Sequence, residues 1–167
     1  DGERAFVENA DTVKVADAYE GRIAFRLSQD EAIYGLGQQE NGVYNYRNVK
    51  EYLYQNNMKI PMPVILSSRQ YAILFDAGCM FTYEEKAGKM TFTFDAVDDL
   101  TYYVIKGDCM DELVKGIRTL TGKAVMLPKL AFGYVQSKER YKTQEEILTT
   151  AEEFQKRDIP VPCLVLD

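Results

Sequence analysis

Two short apolar runs on either side of one amphipathic helix restrict this chain more than any other feature. Leu130 to Val135 has the compact apolar character of a buried parallel strand. Polar Gln136 to Lys142 reads as a loop. Thr143-Gln-Glu-Glu146 has capping-box form: the Thr143 hydroxyl accepts the Glu146 backbone N–H, and the Glu146 carboxylate reaches back to Thr143. Ile147, Leu148, Ala151 and Phe154 fall at helical spacing on one face, and Lys156 and Arg157 place cations at the C-terminal end. Pro160 and Pro162 stop the helix, and Cys163 to Leu166 is the second apolar run, again read as a buried strand. The order strand, helix, strand predicts a parallel pair with a right-handed crossover. Such a unit cannot cover both faces of its own strands, so the chain reads as cut from something longer.

The preceding residues follow a different period. Arg22 to Leu27 and Lys89 to Phe94 alternate polar and apolar, the latter with Met90, Phe92 and Phe94 on one face. Ala5-Phe-Val7, Thr12-Val-Lys-Val15, Ala32 to Leu36, Tyr52 to Tyr54, Val64 to Leu66, Tyr71 to Phe75, Met80 to Tyr83 and Thr101 to Ile105 continue the series, and Glu85-Lys-Ala-Gly88 reads as a hairpin turn. Many short strands with little helix predict an antiparallel β-sandwich, a mainly β chain. Helical spacing first appears at Met110, Leu113, Val114, Ile117 and Leu120, with Asp108 as the expected cap and Gly122 as the left-handed stop. The expected division is a sandwich over 1–107, a helix and connection over 108–127, and a β-α-β unit over 128–167.

Composition narrows the function. With 167 residues, 46% of them hydrophobic, the chain can build a core. Twenty basic against 26 acidic residues, a net charge of −6, argues against nucleic acid or an anionic membrane as partner. No apolar run approaches the ~20 residues of a membrane span, and Asp1-Gly-Glu-Arg4 shows no signal peptide. Cys79, Cys109 and Cys163 are widely spaced in apolar company and read as buried, reduced thiols, which points to the cytoplasm. Histidine is absent, which removes any Ser/His or Cys/His nucleophile pair from these residues. Gly35-Leu-Gly37 begins a dinucleotide fingerprint, but Glu40 holds its third position and strands follow it.

Taken in order, several motifs resemble one family. Leu-Pro-x-x-Ala-Phe-Gly-Tyr-x-Gln-Ser-Lys-Glu-Arg-Tyr over 127–141, then a helix, Arg157-Asp-Ile-Pro160 and a strand ending in Asp167, resembles the start of the catalytic barrel of glycoside hydrolase family 31. Tyr34-Gly-Leu-Gly-Gln-Gln39 and Ile60-Pro-Met-Pro-Val-Ile-Leu-Ser-Ser68 resemble that family's N-terminal sandwich. The resemblance implies a galactose-mutarotase-like antiparallel sandwich followed by the first β-α-β of a truncated (β/α)8 barrel. It implies a retaining α-glycosidase of α-glucosidase or α-xylosidase type, acting on an oligosaccharide or α-glycoside and needing no metal or organic cofactor. The paired Gly35 and Gly37 then serve a tight bend rather than a phosphate.

Candidate sites follow from the strand ends, where barrels carry their active sites. By resemblance, Asp167 hydrogen-bonds the hydroxyls of the non-reducing sugar and is not the nucleophile. Gln136, Ser137 and Arg140 lie at the first strand's mouth, although Lys138-Glu-Arg140 also reads as a solvated charge run. Asn41 to Asn57 is rich in Asn and Tyr, which suit sugar hydroxyls and sugar faces as well as ordinary turns. Asn56 and Asn57 match a sandwich loop that touches sugar in the family. Retaining hydrolysis needs two carboxyl groups ~5 Å apart, and the resemblance places both beyond residue 167, leaving no catalytic residue in this chain. The alternatives are a non-catalytic carbohydrate-binding sandwich module and a transglycosylase of the same family. Self-association through the uncovered barrel surface is a further expectation.

Overall fold

A computed structural model describes residues 3–8 and 14–167, with side chains from Ala18 onward. It divides into two compact units, Asp1–Gly122 and Lys123–Asp167.

The first unit holds nine strands: β1 (Glu3–Glu8), β2 (Lys14–Arg26), β3 (Ile33–Gln38), β4 (Lys50–Leu53), β5 (Ile60–Ser67), β6 (Tyr71–Asp76), β7 (Phe81–Lys86), β8 (Lys89–Val97) and β9 (Thr101–Lys106). One sheet has the order β1-β2-β8-β7-β4 and the other β3-β5-β6-β9. All of their pairings are antiparallel. The expected sandwich is therefore present. Of the expected segment Thr12 to Val15, Thr12 and Val13 lie outside the described residues.

Alternation places the core. Met90, Phe92 and Phe94 of β8 and Phe81 and Tyr83 of β7 are buried together with Ile65, Ile73 and Phe75 of the second sheet. Phe92 meets Phe75 across the sheets with ring centroids 4.4 Å apart. The hairpin between β7 and β8 turns through Ala87 (φ 53°) and Gly88 (φ 75°), the positive-φ pair that matches strand twist.

The glycines of Tyr34-Gly-Leu-Gly37 form an irregularity in the β3–β5 register. Gly35, Leu36 and Gly37 all have positive φ, and the bend turns Leu36 fully into the core. A Cβ on Gly37 would stand 1.9 Å from the Ile60 carbonyl oxygen, so only glycine lets the two backbones approach.

A buried polar cluster ties strand ends together. Glu31 is 5% exposed and accepts the Ser67 hydroxyl (2.6 Å), the Tyr71 hydroxyl (2.6 Å) and the Ser28 N–H (2.9 Å). Arg47 donates to the Ser28 and Glu31 carbonyls and pairs at 3.2 Å with Glu85 of the first sheet. Burial acts to raise the Glu31 pKa, but the two hydroxyls, the Ser28 amide and Arg47 outweigh it and hold the carboxyl below its ordinary value. Burial, then the Glu31 carboxylate, pushes Tyr71 up to about 12.

Helix α1 (Met110–Thr121) packs on β9 and β6, with Leu113 fully buried. The helix expected within a 108–127 connection thus lies in the first unit, and Lys123 opens the second. Gly116 sits against Ile105, where a Cβ would meet the side chain at 2.4 Å. Cys109 rather than Asp108 takes the N-cap position, without a side-chain bond, and is exposed rather than buried. The Glu112 carboxylate accepts the Asp108 N–H instead, at 2.7 Å. Gly122 ends the helix at φ 89°, as expected.

In the second unit, helix α2 (Gln144–Lys156) lies between β10 (Val135–Gln136) and β11 (Cys163–Leu164), which pair in parallel. The β-α-β order stands, but the strands are shorter than the expected 130–135 and 163–166. Lys129–Phe132 forms a 3-10 turn instead. These residues close their backbone bonds locally: the Ala131 N–H donates to the Pro128 carbonyl and the Gly133 N–H to the Leu130 carbonyl. Across from them stands Pro162. Its ring packs on Gly133, where a Cβ would lie 2.4 Å from Pro162 Cγ. Both strands are exposed or half-buried rather than buried. Thr143 caps α2 by accepting the Glu146 N–H at 3.1 Å, while the Glu146 carboxylate reaches the Lys142 N–H rather than that of Thr143.

Two predictions follow from this unit structure. Gly37→Ala forces both a left-handed alanine and a backbone clash, and should lower stability by about 2–4 kcal/mol in chemical denaturation; an unchanged midpoint would show that β3 and β5 can part without loss. The Glu31 contribution has a pH signature. Its folded pKa lies below the unfolded value of ~4.3, so the stabilisation is complete above ~4.3 and is lost as pH falls through the lower folded value. The stability advantage over Glu31→Gln should therefore shrink on acidification below pH ~4.3, and an advantage that grows there would contradict the assignment.

Candidate functional site

The parallel pair sets one end of the second unit. The Val165 N–H donates to the Gln136 carbonyl at 2.9 Å, so the loop after β10 and the residues after β11 leave the ladder on the same side. Asp167 is exposed there, three residues beyond β11.

Gln136 is held by its neighbours. Its Oε1 accepts the Tyr134 hydroxyl at 2.8 Å, and its Nε2 donates to the Tyr141 hydroxyl oxygen at 3.1 Å. Tyr141 is only 5% exposed. Both ends of the Gln136 amide are thus committed to the protein. Arg140 is exposed on the following loop.

That loop is clamped to the first turn of α2. Lys138 Nζ lies 2.5 Å from Glu146 Oε1 and 4.8 Å from the centre of the Tyr141 ring. The hydrogen bond from Lys138, followed by the Lys142 N–H, holds the Glu146 carboxyl below its ordinary value. The same bond raises the Lys138 ammonium. Lys138 therefore leaves the solvated charge run and becomes a brace, which sequence reasoning missed. The signal was present in the capping glutamate, Glu146, eight residues downstream, but no local period links the two.

Asn56 and Asn57 lie in the first unit, on the turn that follows β4. Gln55 Nε2 donates to the Asn56 and Lys59 carbonyls at 3.1 and 2.7 Å, and the Lys59 N–H returns to the Asn56 carbonyl. Asn56 Nδ2 donates to the Tyr54 hydroxyl oxygen at 3.3 Å. Glu51 braces the base of the turn, accepting Asn41 Nδ2 at 2.7 Å and pairing with Lys59 Nζ at 3.5 Å. Both asparagines are exposed. Internal bonding fixes the backbone of the turn and leaves amides facing solvent, an arrangement suited to hydroxyl-rich ligands. Among the described residues, no group of three or more Cys, Asp or Glu side chains converges to hold a metal ion.

Two carboxylates of the second unit are committed to ion pairs. Glu146 pairs with Lys138, and Glu153 pairs with Lys156 and Arg157. Asp158 lies at the end of the unit where α2 turns back towards β11. Asp167 lies at the strand-end side, as does Glu139 in the loop after β10.

Comparison with known proteins fits this geometry. Residues 124–167 match the family model described as the glycosyl hydrolases family 31 TIM-barrel domain. An α-xylosidase of Saccharolobus solfataricus is 42% identical over 86% of this chain, which covers 21% of that enzyme. α-Xylosidase A of Aspergillus niger is 32% identical over 89% of the chain, covering 20% of that enzyme. The chain therefore spans about a fifth of the length of these relatives. The crystal structure of a family 31 α-xylosidase from a soil metagenome, complexed with xylose, superposes with a TM-score of 0.82 at 29% identity, over 98% of this chain and 24% of that one. Motif order, sandwich, β-α-β unit and sequence identity agree: the chain belongs to glycoside hydrolase family 31.

Proposed function

We propose that the protein carrying this chain is a retaining α-glycosidase that releases terminal non-reducing α-linked xylose or glucose. The observation that carries this reading is the 42% identity to an α-xylosidase over 86% of this chain. The second α-xylosidase relative favours xylose.

In this reading Asp167 accepts hydrogen bonds from the hydroxyls of the non-reducing sugar. Arg140 contributes a further polar contact in the second unit; the amides of Asn56 and Asn57 are separate sugar-contact candidates of the first. Gln136 acts through its backbone and through the tyrosines it joins. The clamp of Lys138 on Glu146 and Tyr141 keeps the loop beside the strand end in place, so that sugar contacts are preformed. The nucleophile and the acid/base come from residues outside these 167. Two carboxyl groups ~5 Å apart are required; Glu146 and Glu153 are tied up in ion pairs, and Asp167 serves in this reading as a substrate contact.

Two outcomes test this. In the full-length protein, Asp167→Ala should lower kcat/KM on an aryl α-xyloside by about 30- to 1,000-fold, or ~2–4 kcal/mol, with folding unchanged. Wild-type kinetics in that variant would remove Asp167 from the site. The 167-residue chain alone should release no nitrophenol from aryl α-xyloside or α-glucoside; turnover that co-purifies with it would place the catalytic pair inside these residues. If the full-length protein itself turns over neither substrate, a non-catalytic carbohydrate-binding module becomes the better reading.

A further inference from the structure

The first sheet carries an aromatic surface that the proposed function does not use. The inward residues of β7 and β8 are Phe81, Tyr83, Met90, Phe92 and Phe94. Register then sends Tyr52 of β4, Thr82 of β7, Thr93 of β8 and Arg22 of β2 outward in one row. Tyr52 is 40% exposed, and its hydroxyl donates to Asp95 Oδ2 of β8 at 2.6 Å, passing 3.5 Å from the Met80 sulfur. Strand β7 separates β4 from β8, so the Tyr52 ring must lie across β7 to make that bond. A ring fixed in this way presents a flat apolar face without further loss of side-chain entropy.

The surface continues on one side. Tyr54 leaves β4 on the same face, with its ring centre 5.4 Å from that of Tyr52 and tilted by 36°. Lys59 Nζ covers the Tyr54 ring at 5.6 Å. Thr82 stands opposite Tyr52 in the register, Thr93 follows it on β8, and the Asp95 carboxylate holds the Tyr52 hydroxyl. Apolar faces edged by hydroxyl and carboxylate groups match pyranose rings, which offer C–H faces and a rim of hydroxyls. Asp95 and Glu84 share this face with Arg22, Lys50 and Lys59, a mixed-charge border that suits a neutral glycan better than a charged one. A packing interface would instead be depleted of such charges at its centre.

We propose that this outward face of the first sheet, centred on Tyr52 and held by Asp95, binds a neutral oligosaccharide. The choice of ligand class rests on the proposed glycosidase function; the placement rests on the register and the Tyr52–Asp95 bond. Tyr52 supplies the stacking face, and the threonine row and Asp95 supply hydroxyl contacts.

The test uses the full-length protein in native affinity electrophoresis through gels containing dextran or a xylose-substituted glucan. Turnover of an aryl α-xyloside, measured in parallel, tests the glycosidase reading independently of gel retention. Wild type should be retarded by at least one of the two polymers. Tyr52→Ala should weaken the apparent affinity at least 10-fold, Asp95→Ala by a few-fold through loss of the ring's anchor, and Tyr52→Phe less than Tyr52→Ala because the face remains. Tyr52→Leu, which keeps apolar bulk at the strand position, serves if Tyr52→Ala fails to fold. Wild-type retention in a folded Tyr52→Ala or Tyr52→Leu protein overturns the proposal, as does a wild type that neither polymer retards.

Discussion

The contact between Phe92 of β8 and Phe75 of β6 is the interaction on which the first unit depends. It joins the two sheets at their centre, and Phe94, Phe81 and Tyr83 extend it within ring-to-ring distances of 4.4–6.3 Å. The two sheets bury their largest aromatic side chains against each other, so neither face is covered without the other sheet. The hairpin of β7 and β8 supplies four of these residues, and the sharp turn at Ala87-Gly88 keeps them in register.

The polar cluster of Glu31, Ser67, Tyr71, Arg47 and Glu85 works in a different way. A buried carboxylate is costly unless its lone pairs are filled. Here Ser67, Tyr71 and Ser28 fill those of Glu31, and Arg47 reaches on to Glu85. The cluster fixes which strand ends meet, because the hydrogen bonds are directional where the aromatic core is not. It also anchors the segment that leads from Arg47 into β4 and so to the Asn56 turn.

The second unit has a smaller framework. A two-residue parallel ladder, the Pro162–Gly133 contact and the Lys138–Glu146–Tyr141 clamp hold its strand ends. The clamp connects fold to site: the loop that begins at Gln136 is fastened to α2, and Asp167 leaves the same end of the ladder. In the proposed reading, rigid support beneath this polar rim spares the ordering of a loop at each binding event.

Sequence alone determined the elements whose signal is local. Alternation in Lys89 to Phe94 placed β8 and its inward face, the capping box at Thr143 placed α2, and Gly122 marked the end of α1. Ordered motifs identified the family, and Asp167 was visible as a strand-end carboxylate. Other features needed tertiary structure because their causes lie far apart in the chain. Gly133 meets the Pro162 ring, about thirty residues further on, only in the folded unit. Lys138 becomes a brace only where Glu146 and Tyr141 meet it. Tyr52 becomes a fixed surface only because β7 lies between it and Asp95. Periodicity reports which face a residue takes; only the packed strands decide what it finds there.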